Sequence, residues 1–204
     1  LKIATLISGK YRYILNAACM LGQGKTSMQA EIDCVCEVVD FLRWNTHYAS
    51  QIYSDQPISD PGMLNYVTYR ALEGFVLAIT PFNFTSIASN LCLSPALMGN
   101  TCLWKPSTTS LLSNYYLMKI YKEAGLPDGV INFLPGSGKL IGDVCFSSKY
   151  LAGVHFTGST GVFNGFWKQI ILESKVELIS VSFCLIFIRG SQNDVIPFRK
   201  LCIF

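Results

Sequence analysis

The feature that most constrains the fold is a repeated alternation of short apolar runs with helical segments. Runs of strand length cover Phe75–Ile79, Thr101–Trp104, Val130–Leu134 and Leu151–Phe156. Helical spacing of apolar residues covers Ser86–Met98, Thr109–Ala124 and Lys139–Phe146, and a further helix begins after Ser159. Continuous apolar runs are typical of strands that are covered on both faces. The alternation therefore predicts an α/β fold, a doubly wound parallel sheet with helices on both faces.

The segments that flank this alternation have a different character. From Ser27 to Tyr53 the apolar residues fall at helical spacing, which predicts a helix. Asp60-Pro61-Gly62 then breaks the chain, and Tyr66–Tyr69 alternates as a short strand would. Near the C-terminus, Val176–Ile188 is apolar but too short and too often interrupted by polar residues to cross a membrane, so a buried strand or an irregular tail is favoured. We predict three parts: a helical segment over residues 1–62, a partial α/β domain over 63–168, and a divergent apolar tail over 169–204.

Composition excludes several classes of protein. Half of the residues are hydrophobic and 14% are charged, against about 25% charged in a typical domain, which excludes a disordered chain. The net charge of +3 and the scattered Lys and Arg residues argue against nucleic-acid binding. The apolar excess indicates a piece of a larger core, with exposed apolar patches expected around the last strands and the tail.

Two cysteine- and glycine-based patterns fail on their spacing. Gly22–Thr26 (GQGKT) resembles the end of a P-loop, but Cys19 stands where the first glycine is needed and no strand precedes it. The eight cysteines include no CxxC pair, and Cys34 and Cys36 project about 200° apart around a helix, so they cannot bind one metal ion. We predict no metal site, buried reduced thiols, and an interior, hydrogen-bonded role for His155.

Polar residues follow each predicted strand, where ligands of parallel sheets bind. Asn83, among apolar neighbours, is expected to be buried and hydrogen-bonded; it could donate to an oxyanion or cap the following helix, and both uses are compatible. Lys105 could meet a phosphate or ribose hydroxyls, or be a solvated strand end. The small residues of Thr157–Gly161 could bind an anion at a helix N-terminus or form an ordinary cap.

Together these segments resemble the NAD(P)-dependent aldehyde dehydrogenase family. The ordered motifs are Ile79–Phe84 (ITPFNF), Trp104–Ser107 (WKPS) and Phe156–Ser159 (FTGS). Gly22–Thr26 and Gln29–Asp33 are similar to the delta-1-pyrroline-5-carboxylate (glutamate γ-semialdehyde) dehydrogenase branch. The resemblance covers about Leu21 to Lys168.

The resemblance implies a role for each matching residue. Asn83 would be the catalytic residue, whose amide donates to the oxyanion formed during acyl chemistry. NAD is the implied cofactor, with Thr80 contacting it through its backbone, Lys105 on the adenosine ribose and Gly158–Val162 on the pyrophosphate. The implied cofactor-binding residues are Thr80, Pro81, Phe82, Lys105, Pro106, Ser107, Gly158, Ser159, Thr160, Gly161 and Val162. Thr108 departs from the branch, which usually has an acidic residue there, facing the ribose.

The resemblance also implies an activity, which the chain itself is expected to lack. Branch members oxidise glutamate γ-semialdehyde to glutamate with NAD, as a step of proline breakdown in the mitochondrial matrix, and no targeting peptide is visible here. Neither the Gly-Gln-x-Cys context of the nucleophile nor the Glu-Leu/Cys-Gly-Gly-Lys context of the general base occurs, since Glu177-Leu178 lacks the glycines. The chain begins at Leu1 rather than Met and resembles nothing in the family after about Lys168, so we expect a truncated, inactive protein.

Alternatives to the truncated enzyme remain open at this point. The chain could be a non-catalytic module that binds a nucleotide or docks on other subunits, or a poorly folding product of a damaged gene. The partners implied for the whole enzyme are a small aldehyde substrate and further copies of itself, with no nucleic acid and no membrane span.

Overall fold

A five-stranded sheet forms the centre of the chain, of which the computed structural model describes residues 1–173 and 185–188. The strands are β1 (Phe75–Ile79), β2 (Thr101–Lys105), β3 (Ile131–Phe133), β4 (Leu151–Phe156) and β5 (Leu185–Ile188). Their order is β3-β2-β1-β4-β5; the first four run parallel, and β5 is antiparallel to β4. The predicted parallel sheet is confirmed. Of the two alternatives predicted for Val176–Ile188, a buried strand or an irregular tail, the structure shows a short strand, β5, at its end, whereas residues 176–184 lie outside the described residues.

Helices cover both faces of this sheet. In the described part of the chain they are α1 (Lys2–Ser8), α2 (Arg12–Gln23), α3 (Ser27–Ala30), α4 (Glu37–Ser54), α5 (Thr85–Leu97), α6 (Leu111–Ala124), α7 (Gly138–Phe146) and α8 (Thr160–Glu173). A π-helical segment, Glu31–Cys36, joins α3 to α4, and a 3₁₀ turn, Thr108–Ser110, precedes α6. The predicted helices are confirmed with small shifts of their ends, and the one predicted over Ser27–Tyr53 contains the π-helical segment.

The strands alternate their side chains between two apolar clusters, as the period of two requires. Ala78 and Trp104 lie in a large cluster with α1–α6, which we call the major core. Leu77, Val154 and Phe156 lie on the other face in a smaller cluster with α7 and α8, the minor core. The sheet is therefore doubly wound, as predicted.

The N-terminal helices belong to the major core. Leu15 and Cys19 of α2, Val35 of the π-helical segment and Val38 of α4 are buried in the same cluster as Leu91 of α5. A polar pair also joins α4 to α5, since the Asn45 side-chain amide donates to Oδ1 of Asn90 at 2.7 Å. These helices consequently hold α5, and with it the loop that precedes α5, against the sheet.

One glycine sets the start of β1. Gly74 has φ +106°, and a Cβ atom on it would lie 2.0 Å from the carbonyl oxygen of Tyr150. The next N–H, of Phe75, donates to that same oxygen at 2.9 Å. Only glycine allows so close a backbone approach with a positive φ, so Gly74 fixes how β1 enters the sheet beside β4.

The strand predicted over Tyr66–Tyr69 is wrong. These residues belong to a loop after α4, and Tyr66 and Val67 are exposed. The side chain of Gln56 bonds both backbone groups of Val67: its Oε1 accepts from the N–H at 2.7 Å, and its Nε2 donates to the carbonyl at 3.3 Å. With those groups satisfied locally and no face to bury, alternation alone does not produce a strand. The predicted break is confirmed, since Gly62 has φ +83°.

Candidate cofactor and active site

The loops that carry the three family motifs follow β1, β2 and β4, and they begin side by side where these parallel strands end. We call this side of the sheet, at the carboxyl ends of the strands, the sheet edge. Ile79 of β1 is in register with Lys105 of β2 and with Phe156 of β4. Backbone hydrogen bonds extend this register past the strands: Thr80 N–H donates to the Lys105 carbonyl at 3.2 Å, and Thr157 N–H donates to the Ile79 carbonyl at 3.3 Å. The parallel topology thus brings together segments that lie far apart in the sequence.

The loop after β1 is anchored by its first two residues. Thr80 is buried, and its Oγ1 accepts from the Trp104 indole N–H at 3.1 Å. Because its N–H is engaged with Lys105, the backbone contact predicted between Thr80 and a cofactor would use the carbonyl. Pro81 is buried, and its carbonyl accepts from the Ser110 hydroxyl at 3.5 Å. Phe82 is 63% exposed at the surface of this edge.

Asn83 occupies a different environment from the one predicted. Its side chain is exposed rather than buried, and within the described residues its amide makes no hydrogen bond. Nor does it cap α5, because the N-cap residue is Phe84, which makes no side-chain cap bond. The chain turns Asn83 outward between Pro81 and Thr85, whose burial anchors the loop on either side. The outcome is an amide that is free to donate to a ligand above the sheet edge.

The loop after β2 presents a half-buried cation. Burial lowers the pKa of Lys105, and no acidic side chain of the described residues forms an ion pair with it. Its Nζ lies 3.9 Å from the position that a Cβ on Gly138 would take, so it sits beside the start of α7. Pro106 is buried, and the Ser107 hydroxyl lies 3.2 Å from that of Thr109.

The loop after β4 is a helix cap that is open to solvent. A Cβ on Gly158 would lie 2.5 Å from the Phe156 ring, so a side chain there would displace that ring. Ser159 caps α8, since its Oγ accepts from Val162 N–H at 3.4 Å and its carbonyl accepts from Phe163 N–H at 3.0 Å. The ordinary cap is therefore present. Gly158 through Val162 are all exposed, which leaves the helix N-terminus accessible to an anion.

Lys25 was not among the predicted site residues, yet it supports the Asn83 loop. Its Nζ pairs with Asp33 at 2.6 Å and lies 4.3 Å from the centre of the Phe84 ring, a cation–π contact. The Lys25 and Asp33 side chains are only 12% and 21% exposed. Gly24 ends α2 in a left-handed cap, and no strand precedes it, which confirms that GQGKT is not a P-loop.

Glu37 is a second residue that the sequence patterns did not single out. Its Oε2 accepts from the Ser86 hydroxyl at 2.6 Å, in the first turn of α5. This bond places a carboxylate close to the start of the helix that follows Asn83. No local pattern relates Glu37 to Ser86, because α4 and α5 are separate elements that only the fold brings together.

For the residues that the structure describes, the predicted burial of most cysteines and the predicted interior position of His155 are confirmed. Of the six cysteines there, five are buried, with Cys36 exposed, and all six are free thiols. His155 is interior: its Nδ1 lies 2.9 Å from the Leu91 carbonyl, and burial lowers its pKa to about 4. In the same part of the chain, no group of metal-ligating side chains could hold an ion, and no helix has the length and apolar character that crossing a bilayer requires.

Comparison with known proteins identifies the family. The aldehyde dehydrogenase family profile matches residues 1–181, and the chain belongs to the aldehyde dehydrogenase family. The match extends beyond Leu21–Lys168 at both ends. The expectation that family likeness stops near Lys168 is therefore wrong, because residues 169–181 still match.

Within that family, the chain is similar to curated delta-1-pyrroline-5-carboxylate dehydrogenases. The chain is 56% identical over 170 residues to the mitochondrial enzyme of Dictyostelium discoideum and 51% identical over 170 residues to that of Homo sapiens. Each alignment covers 83% of this chain but 30% of the relative, so the chain spans about 30% of the length of the curated relatives it matches. The predicted branch is confirmed.

Solved structures agree with this assignment. The crystal structure of the Mycobacterium tuberculosis Delta-pyrroline-5-carboxylate dehydrogenase bound with NAD is 53% identical, with a TM-score of 0.82, over 84% of this chain and 32% of that one. A Thermus 1-pyrroline-5-carboxylate dehydrogenase with bound NAD is 30% identical, with a TM-score of 0.75, over 83% of this chain and 33% of that one. The fold predicted from the sequence is the one these enzymes share.

Proposed function

We propose that this chain supplies most of the NAD-binding domain of a glutamate γ-semialdehyde dehydrogenase, the enzyme that completes proline breakdown. The observation that carries the proposal is the meeting of the three family loops, after β1, β2 and β4, at one sheet edge. Identity of about 50% to enzymes of this activity supports the substrate class. The activity is proposed for the whole protein, since the chain spans about 30% of those relatives.

The residues at this edge suit a dinucleotide. Lys105 offers a cation without a carboxylate partner among the described residues, in a position to meet ribose hydroxyls or a phosphate. The exposed N-terminus of α8 suits a pyrophosphate because its N–H groups and the helix dipole favour negative charge. Gly158 beside it has no side chain that would block the approach. Pro106 and Ser107 would shape the site between them, and Thr80, whose N–H is already bonded to Lys105, would contact the cofactor through its carbonyl. When bound, NAD would accept a hydride from the substrate.

Asn83 is proposed to act in the chemical step rather than in cofactor binding. Its exposed amide is available to donate to an oxyanion, and a donor aimed at developing negative charge lowers the barrier of acyl chemistry. Lys25 and Asp33, through the Phe84 ring, would hold the loop in place. The acceptor of the Asn83 hydrogen bond would be the oxygen of the aldehyde carbon, once a cysteine thiolate has attacked it.

The chain by itself is proposed to lack this activity. Of the described cysteines, only Cys36 is exposed, and burial together with the nearby Glu31 raises the pKa of its thiol. A raised pKa lowers the thiolate fraction that a nucleophile needs. Cys36 also lies on the α-helical layer formed by α1–α4, not on the loops at the sheet edge.

Three further expectations stand as proposals for the whole protein. Relatives named as mitochondrial favour a mitochondrial matrix location. Assembly of several copies is proposed as for other family members. The division into residues 1–62, 63–168 and 169–204 stays a prediction, and burial of α1–α4 in the major core favours treating the first two parts as one folding unit.

Two measurements on the purified chain test the proposal. Thermal unfolding is followed with and without NAD, because a ligand that binds the native state raises the melting temperature. NADH formation from glutamate γ-semialdehyde is followed separately. We expect a melting-temperature increase with NAD and no NADH. A cooperative melt that NAD leaves unchanged would remove the binding proposal, and steady NADH production would remove the proposal of inactivity.

A further inference from the structure

Two cysteines that the proposed function does not use lie together in the major core. Cys19 of α2 and Cys34 of the π-helical segment are both fully buried there. The Cys34 Sγ lies 3.9 Å from the Leu15 carbonyl oxygen, which is the group that accepts the Cys19 N–H within α2. Cys34 therefore packs on the turn of α2 that carries Cys19, and the two thiols are hydrogen-bonded to each other.

The surroundings of this thiol pair are polar and charged although they are buried. The Cys19 thiol donates to Oε1 of Gln23 at 3.4 Å, and the Gln23 amide donates to Oγ1 of Thr85 at 2.7 Å. Lys25, which attracts a thiolate at Cys19, is itself paired with Asp33 at 2.6 Å. The thiol pair thus lies directly behind the start of α5 and the loop that precedes it.

These surroundings make the two thiols chemically unequal. The hydrogen bond from Cys34, together with the charge of Lys25, lowers the pKa of Cys19 to about 7, although burial opposes this. The same bond and burial raise the pKa of Cys34. Burial also raises the pKa of the remaining described cysteines, which are Cys36, Cys92, Cys102 and Cys145. Among the described thiols, Cys19 therefore has the largest thiolate fraction at neutral pH, and the thiolate is the form that peroxide oxidises.

We propose that Cys19 and Cys34 are a peroxide-sensitive thiol pair that closes to a disulfide and joins α2 covalently to the π-helical segment. The Cys19 thiolate attacks one oxygen of hydrogen peroxide, which breaks the O–O bond, releases hydroxide and leaves a sulfenic acid on Cys19. The Cys34 sulfur then attacks the Cys19 sulfur, so that the S–S bond forms and water leaves with the Cys34 proton. In sum, both thiols are oxidised and the peroxide is reduced to water. Since both sulfurs are buried, peroxide reaches them when the last turn of α2 opens locally.

Disulfide mapping of the purified chain after treatment with hydrogen peroxide tests this proposal. The remaining free thiols are alkylated, the chain is digested with trypsin, and linked peptides are identified by mass spectrometry. Cleavage after Lys25 puts Cys19 in one peptide and both Cys34 and Cys36 in the next, so Cys36→Ser is the matched control. We expect the linked peptides from the wild type and from Cys36→Ser, their loss in Cys34→Ala, and their separation by dithiothreitol. Alanine suits the buried position because a buried cysteine packs as a small apolar side chain.

Three results would overturn the proposal. The first is oxidation of the exposed Cys36 in folded chain without any link between Cys19 and Cys34. The second is loss of the linked peptides in Cys36→Ser, which would assign the link to Cys36; this result is decisive even if Cys34→Ala does not melt cooperatively. The third is an equal yield of the Cys19–Cys34 link from chain unfolded in urea, because the folded structure would then play no part in pairing the two thiols.

Discussion

The major core and the sheet edge that carries the candidate site differ in whether their polar side chains are buried and paired or exposed and unpaired. Beside the major core, buried hydroxyls pair with one another within the chain: Ser89 with Tyr121 at 2.7 Å, and Thr85 with Ser113 at 3.0 Å. At the sheet edge, Asn83 and Thr108 are exposed, and Lys105 has no acidic partner among the described residues. Satisfied buried groups hold a structure together, whereas unsatisfied accessible groups are available to a ligand. Substitutions should therefore cost stability in the first region and binding in the second.

The largest stability loss is expected for Trp104→Ala. Trp104 is fully buried in the major core, packs on Phe133 and donates to Thr80, so its truncation should cost about 3–5 kcal/mol of unfolding free energy. Asn83→Ala, on the exposed edge, should cost less than about 0.5 kcal/mol. Urea unfolding of both variants measures the contrast. Equal losses would erase the distinction between the two regions.

The next largest effect concerns the pH dependence of stability through His155. Its pKa in the folded chain is lowered from 6.5 to about 4, so the neutral form is favoured by folding. The associated stability is fully present above pH 6.5 and is lost as the pH falls towards 4, by roughly 3 kcal/mol. Urea midpoints across this range should fall more steeply for the wild type than for His155→Gln.

Comparing the two slopes isolates the histidine. Glu31 and Glu123, whose pKa values are lowered by hydrogen bonds, also lose stability in acid, but they do so in both proteins. Parallel slopes for wild type and His155→Gln would show that protonation of His155 does not oppose folding.

A smaller effect is expected at Gly74, which precedes β1 and therefore lies at the opposite ends of the strands from the site. Gly74→Ala combines a positive φ with a clash against the Tyr150 carbonyl and should cost at least about 2 kcal/mol. Gly62→Ala has a similar φ of +83° but open space, so about 1 kcal/mol is expected. Thermal melts of the Gly74→Ala and Gly62→Ala variants separate the cost of a positive φ, which both share, from the cost of the steric clash, which only Gly74→Ala has. Equal decreases of the melting temperature would mean that the clash with the Tyr150 carbonyl does not destabilise the chain.

The smallest effect is expected at Ser159, where a structural role and a binding role overlap. Ser159→Ala removes the cap of α8 and should cost about 1 kcal/mol. Ser159→Asp restores a good cap but adds a negative charge where the pyrophosphate is proposed to bind. It should therefore keep wild-type stability and weaken NAD binding; unchanged affinity would place the pyrophosphate elsewhere.

Sequence patterns predicted the fold well because its elements follow local rules. β1 and β4 have the predicted bounds, and apolar periodicity located α5, α6 and α7 to within a few residues. The alternation at Tyr66–Tyr69 misled because Gln56, distant in the chain, satisfies Val67. Alternation describes a strand only when a neighbouring strand is available to pair.

The motifs predicted which loops would lie together, and the sheet register confirms that placement; the cofactor and catalytic roles of their residues stay predictions, and the local geometry was not predicted. The motifs located Asn83, Lys105 and Gly158, whereas the exposure of Asn83 depends on how the chain turns between buried neighbours. The contact of Lys25 with Phe84 was missed because it joins the end of one helix to a loop after β1. Such contacts depend on tertiary packing, and no spacing within the sequence encodes them.

The most direct test of the proposed cofactor site is a calorimetric titration of NAD into the chain and two variants. We predict saturable binding to one site, about tenfold weaker binding for Lys105→Ala because a charged contact is lost, and unchanged affinity for Asn83→Ala. This result would separate cofactor binding from the chemical step at the sheet edge. Absence of binding heat in a chain that melts cooperatively, or equal affinity in Lys105→Ala and the wild type, would contradict it.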